Sequence, residues 1–189
     1  MRRFAPVREA FRAFVAPLLV YGPVSAAALG YGLYRLPVEK ALLYAGGGWL
    51  LWTLVEYLLH RFAFHEEPGK PLAQRYDIHW VHHRKPQDPH HVVTNLKLTI
   101  PLAVGFLGLF YGISGGQPGV WPFYGGFGIG YLSYEALHLG MHTWPEPPLR
   151  WLKPLWKHHH AHHFRRPDCN YGVTTHFWDV LFRTRWKGQ

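Results

Sequence analysis

An all-α integral membrane protein is predicted by three features of this 189-residue chain: long stretches free of charge, a strong turn signal inside the longest of them, and basic residues concentrated in alternate connections. From Ala13 to Tyr34 no side chain is charged, and at about 1.5 Å per residue a helix of that length crosses a hydrocarbon layer of about 30 Å. This is the first span, 13–34. The second, 41–59, is apolar apart from Glu56, and its Gly46-Gly47-Gly48 run invites close approach by a neighbouring helix. The uncharged stretch from Leu98 to Tyr134 is too long for one crossing and is broken by Ser114-Gly115-Gly116-Gln117-Pro118-Gly119. It divides into spans at 98–113 and 119–137, which completes four transmembrane helices in two hairpins. Buried helices of a soluble protein are the competing reading, because overall hydropathy is modest, but the charge pattern counts against it.

With four alternating spans, one side receives Arg2, Arg3, Arg8 and Arg12, then Arg61, Lys70, Arg75, Arg84, Lys85 and Lys97, then the eight basic residues from Arg150 to Lys187. The other side receives only Arg35 and Lys40. The positive-inside rule then places both termini and the regions 60–97 and 138–189 in the cytoplasm, with a bacterial inner membrane expected rather than the endoplasmic reticulum. Topology thus accounts for the formal charge of +9. No helix-turn-helix, zinc-finger or RNA-binding motif accompanies that charge, so nucleic acid is not expected as a partner. Nine Trp, eleven Tyr and twelve Phe suit membrane interfaces. The single Cys169 permits neither an internal disulfide nor a Cys-rich zinc site. The basic start of the chain precedes a long apolar stretch without a small-residue cleavage site, so it reads as a retained span and not as a signal peptide. One domain, 1–189, is expected.

Fifteen histidines are the anomaly. Ten fall in four groups on the expected cytoplasmic side, each at or just beyond a span: His60 and His65; His79, His82 and His83; His138 and His142; His159, His162 and His163. Residues three and four apart share a helix face, so each triad is expected to aim at one spot. His60 and His65 would diverge by about 140° on a regular helix, so the helix should bend or end between them. Neutral imidazole is the commonest metal-binding side chain and suits iron, zinc and copper. Ten imidazoles converging from four segments point to two metals with about five ligands each. The other five are weaker candidates: His90 and His91 in a polar loop, His158 and His160 beside the last group, and His176 in the tail.

An all-imidazole set brings no negative charge. Glu56, Glu135 and Asp77 stand one turn or less before His60, His138 and His79, where they could accept hydrogen bonds from ligand N–H groups. His176 is a further candidate for such a supporting role. Trp80, Trp144, Trp156 and Trp178 could line a substrate mouth, although an interfacial belt explains them as well. Arg84, Lys85, Arg165 and Arg166 could hold a carboxylate or a headgroup, although topology already accounts for them. The Gly126-x-Gly128-x-Gly130 run has the wrong spacing for a dinucleotide fingerprint and lies in a span, so no nicotinamide is expected to bind directly.

The stretches His60-Arg61-Phe62-Ala63-Phe64-His65, His79-Trp80-Val81-His82-His83, His138-Leu139-Gly140-Met141-His142 and His159-His160-Ala161-His162-His163 closely resemble the fatty acid hydroxylase superfamily. These are histidine-box membrane oxygenases that include fatty acid 2-hydroxylases and sterol desaturases. The tail from Asn170 to Thr184 resembles the family's closing segment, with Arg183 at a position more often glycine. The similarity runs from about residue 45 to the end. It implies a four-span anchor with a cytoplasmic cap and a di-iron centre, held by the ten box histidines, that activates O2 with two reducing electrons.

The implied activity is hydroxylation of the acyl chain of a fatty acid or acyl lipid drawn from the bilayer, since the first two boxes look nearest the fatty acid hydroxylase branch. A sterol, carotenoid or sphingoid-base hydroxylase or desaturase is the alternative on the same scaffold. A zinc-binding transporter is a remote one, because its ligands should lie near the membrane midplane. Zinc could occupy the same imidazoles. Some members carry a fused cytochrome b5 domain, for which this chain has neither room nor a haem-binding stretch. Electrons are therefore expected from an external donor, cytochrome b5 or a ferredoxin with its reductase.

Overall fold

The computed structural model describes residues 6–65 and 78–188. Among these residues the fold is all-α, with no strand. Helix α1 spans Val7–Arg35 and α2 spans Val38–Leu58, running directly into a π-helical turn at Leu59–Phe64. Two short helices, α3 (Ile78–Arg84) and α4 (Pro89–Val92), lead to α5 (Leu96–Ile113) and α6 (Val120–Thr143). A 3-10 turn at Arg150–Leu152 opens α7 (Lys153–Phe164), and α8 (Phe177–Leu181) lies in the tail. The expected hairpin turn is present. Gly115 and Gly116 take φ of +60° and +73° between α5 and α6, a region that glycine enters without steric cost.

The described residues form two compact units. One comprises Phe14–Trp52 and Thr94–Ser133. In it a Cβ on Gly48 would collide with the carbonyl oxygen of Phe123, and one on Gly126 with that of Ala45. Helices α2 and α6 therefore touch backbone to backbone, as small residues permit in membranes. Within the three-glycine run that predicted this, Gly46 faces open space and Gly48 makes the contact. Edge-to-face rings fill the surrounding space, with Tyr21 and Tyr131 centroids 4.6 Å apart and Trp52 and Phe127 5.1 Å apart.

Three helical stretches, Val7–Arg35, Val38–Phe64 and Pro89–Ile113, are long and apolar enough to cross a membrane, and they make this a multi-pass membrane protein. Leu19, Leu43 and Val104 are among the large apolar side chains they expose. The fourth expected span, 119–137, falls from its second residue onward in the 24-residue α6, which is not among the three. Glycines, tyrosines, Glu135 and two histidines replace aliphatic residues along it, and it buries Tyr124, Phe127 and Tyr131.

The second unit contains Thr53–Val93 and the chain from Tyr134 onward. Its apolar core is small, comprising Met141, Leu152, Trp156 and Val173 with Tyr134, Leu137 and Leu155 packed against them. Buried polar residues make up much of the rest, including eleven members of the set Glu56, His60, His82, Glu135, His138, His142, His158, His159, His162, Asn170 and Asp179. Such groups are tolerated inside only when they are bonded or serve as ligands.

Candidate metal centre

The ten box histidines fall into two groups of five: His60, His65, His79, His83 and His162 in the first, and His82, His138, His142, His159 and His163 in the second. In each group one nitrogen from every ring lies within 4.8 Å of the others. In the first, Nε2 atoms face one another: His60 to His79 at 3.1 Å, His65 to His79 at 2.9 Å and His83 to His162 at 3.2 Å. In the second, His82 and His163 Nε2 are 3.1 Å apart and His142 and His159 Nε2 2.9 Å apart.

Local structure explains how four segments reach two points. The spacing had suggested that the helix bends or ends between His60 and His65; the regular α-helix stops at Leu58, just before His60, and the chain stays helical through Phe64. It widens into the π-helical turn, where the His65 N–H donates to the His60 carbonyl at 3.2 Å, so residues five apart come onto one face. The triads do not each aim at one spot either. His79 and His83, four apart on α3, enter the first group, and His82 enters the second. On α7 the division is reversed, with His159 and His163 in the second group and His162 in the first. The i,i+4 pair shares a face, and the intervening residue, about 100° away from its neighbour, serves the other group.

This set fits a pair of cations. His60 Nδ1 donates to the Tyr171 carbonyl, and His162 Nδ1 to the Cys169 carbonyl at 2.7 Å, so each neutral ring turns an Nε2 lone pair inward. Lone pairs facing each other at about 3 Å are repulsive unless a proton or a metal lies between them. Burial, reinforced by neighbouring imidazoles, holds His79, His82, His159, His162 and His163 well below the ordinary histidine range and His83 at about 3. Neutral imidazole is the metal-binding form, and His138 Nε2 is buried with no hydrogen-bond partner among the described residues.

The expected supporting groups fare differently. Glu56 does not meet His60. Its Oε1 accepts the N–H groups of Val173 and Thr174 at 2.8 and 2.9 Å, and its Oε2 accepts the Thr174 hydroxyl. The place next to His60 is taken by a carbonyl, which a helix-end carboxylate one turn earlier does not displace. Glu135 is fully buried on α6 three residues before His138. Asp77 lies outside the described residues. His176 joins neither group and lies with its ring 5.9 Å from that of His158. Trp156 is 3% exposed within the apolar core and so does not line a mouth. Trp178 donates to Thr53 Oγ1 at 2.9 Å, Trp80 meets the His65 ring edge-to-face at 5.3 Å, and Trp144 is exposed. Arg166 is paired with Asp168, and the Arg165 guanidinium lies over the Trp186 ring.

His158 and Asp179 carry more than the sequence suggested. His158, one of the weaker candidates, is buried, with Nε2 3.0 Å from Asp179 Oδ2. His160 donates to the Met141 carbonyl at 2.9 Å. Asp179 also accepts from Tyr171 and Gly172 N–H at 2.8 Å each and from the Thr184 hydroxyl at 2.7 Å. Asp179 stands between Trp178 and Val180 as Glu56 stands in its apolar run, and an acid in such a setting is costly unless donors meet it.

The family pattern described as Fatty acid hydroxylase matches residues 46–184. The chain is 33% identical over 144 residues to "Ceramide very long chain fatty acid hydroxylase SCS7" of Saccharomyces cerevisiae, covering 72% of this chain and 36% of that protein. It is 37% identical over 140 residues to "Dihydroceramide fatty acyl 2-hydroxylase FAH2" of Arabidopsis thaliana, covering 72% and 58%. The human "Fatty acid 2-hydroxylase" is 32% identical over 145 residues, covering 72% and 38%. Thus the chain spans between 36% and 58% of the length of these relatives. A solved structure described as "Full length scs7p (only hydroxylase domain visible)" superposes with a TM-score of 0.79 at 29% identity, covering 92% of this chain and 66% of that one. The matched region holds the four histidine boxes, the two five-histidine groups and the tail that binds them, and the chain belongs to the fatty acid hydroxylase family.

Proposed function

We propose that this protein is an O2-dependent di-iron enzyme that hydroxylates the acyl chain of a fatty acid or acyl lipid in the membrane. The observation that carries the reading is the convergence of ten imidazoles into two groups of five. The named activities of the relatives, a ceramide very long chain fatty acid hydroxylase, a dihydroceramide fatty acyl 2-hydroxylase and a fatty acid 2-hydroxylase, support the lipid class. Iron held by the two groups would supply the activation of O2 and the oxidation of an unactivated C–H bond, which no side chain performs unaided.

The chain's own residues supply the setting. The ten histidines would be the ligands, neutral and largely withdrawn from water, and the carbonyls of Tyr171 and Cys169 fix the rings of His60 and His162. A dry surrounding protects reactive chemistry from side reactions. In the proposed topology α6 is a fourth span, and both termini and the histidine unit face the cytoplasm because the basic residues concentrate in those connections. The relatives reported above are eukaryotic and lend nothing to a bacterial inner membrane. A lipid then presents its acyl chain from the bilayer, and reducing equivalents arrive from an external electron carrier.

The test is lipid mass spectrometry on host cells expressing the wild type or His162→Ala/His163→Ala, which removes one imidazole from each group. A wild-type-only acyl species heavier by one oxygen is expected. An acyl species lighter by two hydrogens, or no change with iron-loaded protein, overturns the hydroxylase reading.

A further inference from the structure

Four consecutive peptide N–H groups, Tyr171 to Thr174, end on two buried carboxylates. Asp179 takes those of Tyr171 and Gly172, and Glu56 those of Val173 and Thr174. Glu56 is 5% exposed and Asp179 fully buried. Carboxylates removed from water are costly unless several donors meet them, and hydrogen bonds to a charged acceptor are the strong ones. Glu56 and this stretch are 117 and 118 residues apart in sequence, so the clamp is a deliberate long-range contact and not local turn geometry.

The clamped stretch and its immediate neighbour bear on the metal centre. The Tyr171 carbonyl accepts from His60 Nδ1, and the Cys169 carbonyl from His162 Nδ1. A carbonyl can only accept, so it keeps each ring proton on Nδ1 and aims the Nε2 lone pair at the other nitrogens of the group. Both anchored rings belong to the first group. In the second group, the outer Nδ1 atoms of His82, His159 and His163 are buried without a protein partner among the described residues. The two groups have the same ligand chemistry and differ in how firmly their rings are held.

We propose that Glu56 and Asp179 are positioning residues that act through the segment 169–174 to preorganise His60 and His162, making the first histidine group the tighter metal position and the second the exchangeable one. This inference rests on the metal-binding reading above. It goes beyond that reading by assigning the two positions unequal affinity and tracing the difference to a protein clamp that touches neither metal.

The experiment uses the full chain purified in detergent, loaded anaerobically with ferrous ion and challenged with a chelator while released metal is followed. Wild type should release its metal in a fast and a slow phase, and His159→Ala should lose the fast phase alone. Asp179→Asn preserves shape but turns amide hydrogens toward donors, and Gly172→Ala drives a Cβ into the Thr175 carbonyl oxygen. Each should accelerate the slow phase by about 10- to 100-fold, the usual effect of losing an outer partner of a metal ligand, with the fast phase unmoved. Far-UV circular dichroism and elution volume report folding. Should both variants misfold, Thr174→Val, which deletes only the hydroxyl bond to Glu56, must show the same selective acceleration at smaller size. An unchanged slow phase in a folded variant, equal acceleration of both phases, or loss of the slow phase in His159→Ala overturns the proposal. Wild type that binds no metal would instead remove the metal-binding reading on which it rests.

Discussion

His82 and His83 are chain neighbours whose rings enter different histidine groups, with centroids 5.9 Å apart and planes at 71°. His83 also stacks on His163 of the other group at 4.1 Å and 15°, so the two groups adjoin through an imidazole pair. His82→Ala and His83→Ala should therefore not be equivalent. The first should deplete the second group and the second should deplete the first, each leaving the other position loaded. Metal analysis of purified protein, combined with chelator release, separates the two outcomes. Identical release profiles for both variants would mean that the groups bind as one cooperative unit.

The convergence of the ten histidines was legible because helical spacing puts residues three or four apart side by side, and because the five-residue gap between His60 and His65 announced a departure from a regular helix. The partition between groups was not legible. An HxxHH triad straddles two faces, and only the opposing helix decides which ring goes where. The tail clamp was hidden for a different reason: Glu56 is local to His60 in sequence, yet its partners lie in the segment at 173 and 174. Hydropathy made α1, α2 and α5 plain, whereas α6 spends its surface on glycines and buried rings and so carries a weaker apolar signal.

Arg183 adopts φ of +57°, where a residue with a Cβ pays about 1–2 kcal/mol. Its N–H is bonded to the Val180 carbonyl at 3.3 Å, and the next N–H, of Thr184, reaches the Asp179 carbonyl at 2.9 Å. The left-handed turn therefore closes α8 and brings Thr184 back to Asp179. Arg183→Gly should stabilise the protein by about 1 kcal/mol, the strain relieved being partly offset by glycine's greater unfolded-state freedom. Thermal unfolding in detergent should show a midpoint about 2–4 °C higher. A lower midpoint would mean that the arginine side chain contributes more than its backbone costs.

Gly48 and Gly46 stand two residues apart on α2 with opposite surroundings. A Cβ at Gly48 meets backbone atoms of Phe123 and Phe127, whereas one at Gly46 meets nothing within 4 Å. Gly46→Ala should be neutral or stabilising by up to about 1 kcal/mol, because alanine is the better helix former. Gly48→Ala should cost about 3 kcal/mol or more, since backbone cannot yield as a flexible side chain does and overpacking alone costs about 1–3 kcal/mol. The recovery of monodisperse protein and its unfolding midpoint read both. Equal behaviour of the two variants would contradict the close α2–α6 contact.

The π-helical turn makes an asymmetric prediction about chain length. His65 reaches the first group because the i→i+5 bond from its N–H to the His60 carbonyl inserts one extra residue into the turn. Deleting Ala63, which lies inside the turn, leaves the two histidines four apart. On a regular α-helix that spacing also puts them on one face. Inserting an alanine after Ala63 makes the gap six, which on a regular helix turns the rings about 120° apart by geometry. The deletion should therefore retain metal in the first group and the insertion should lose it, with helicity unchanged in both. Metal content per chain distinguishes them. Loss of the first-group metal in both variants would show that the wide turn itself, and not merely the shared face, sets the position of His65.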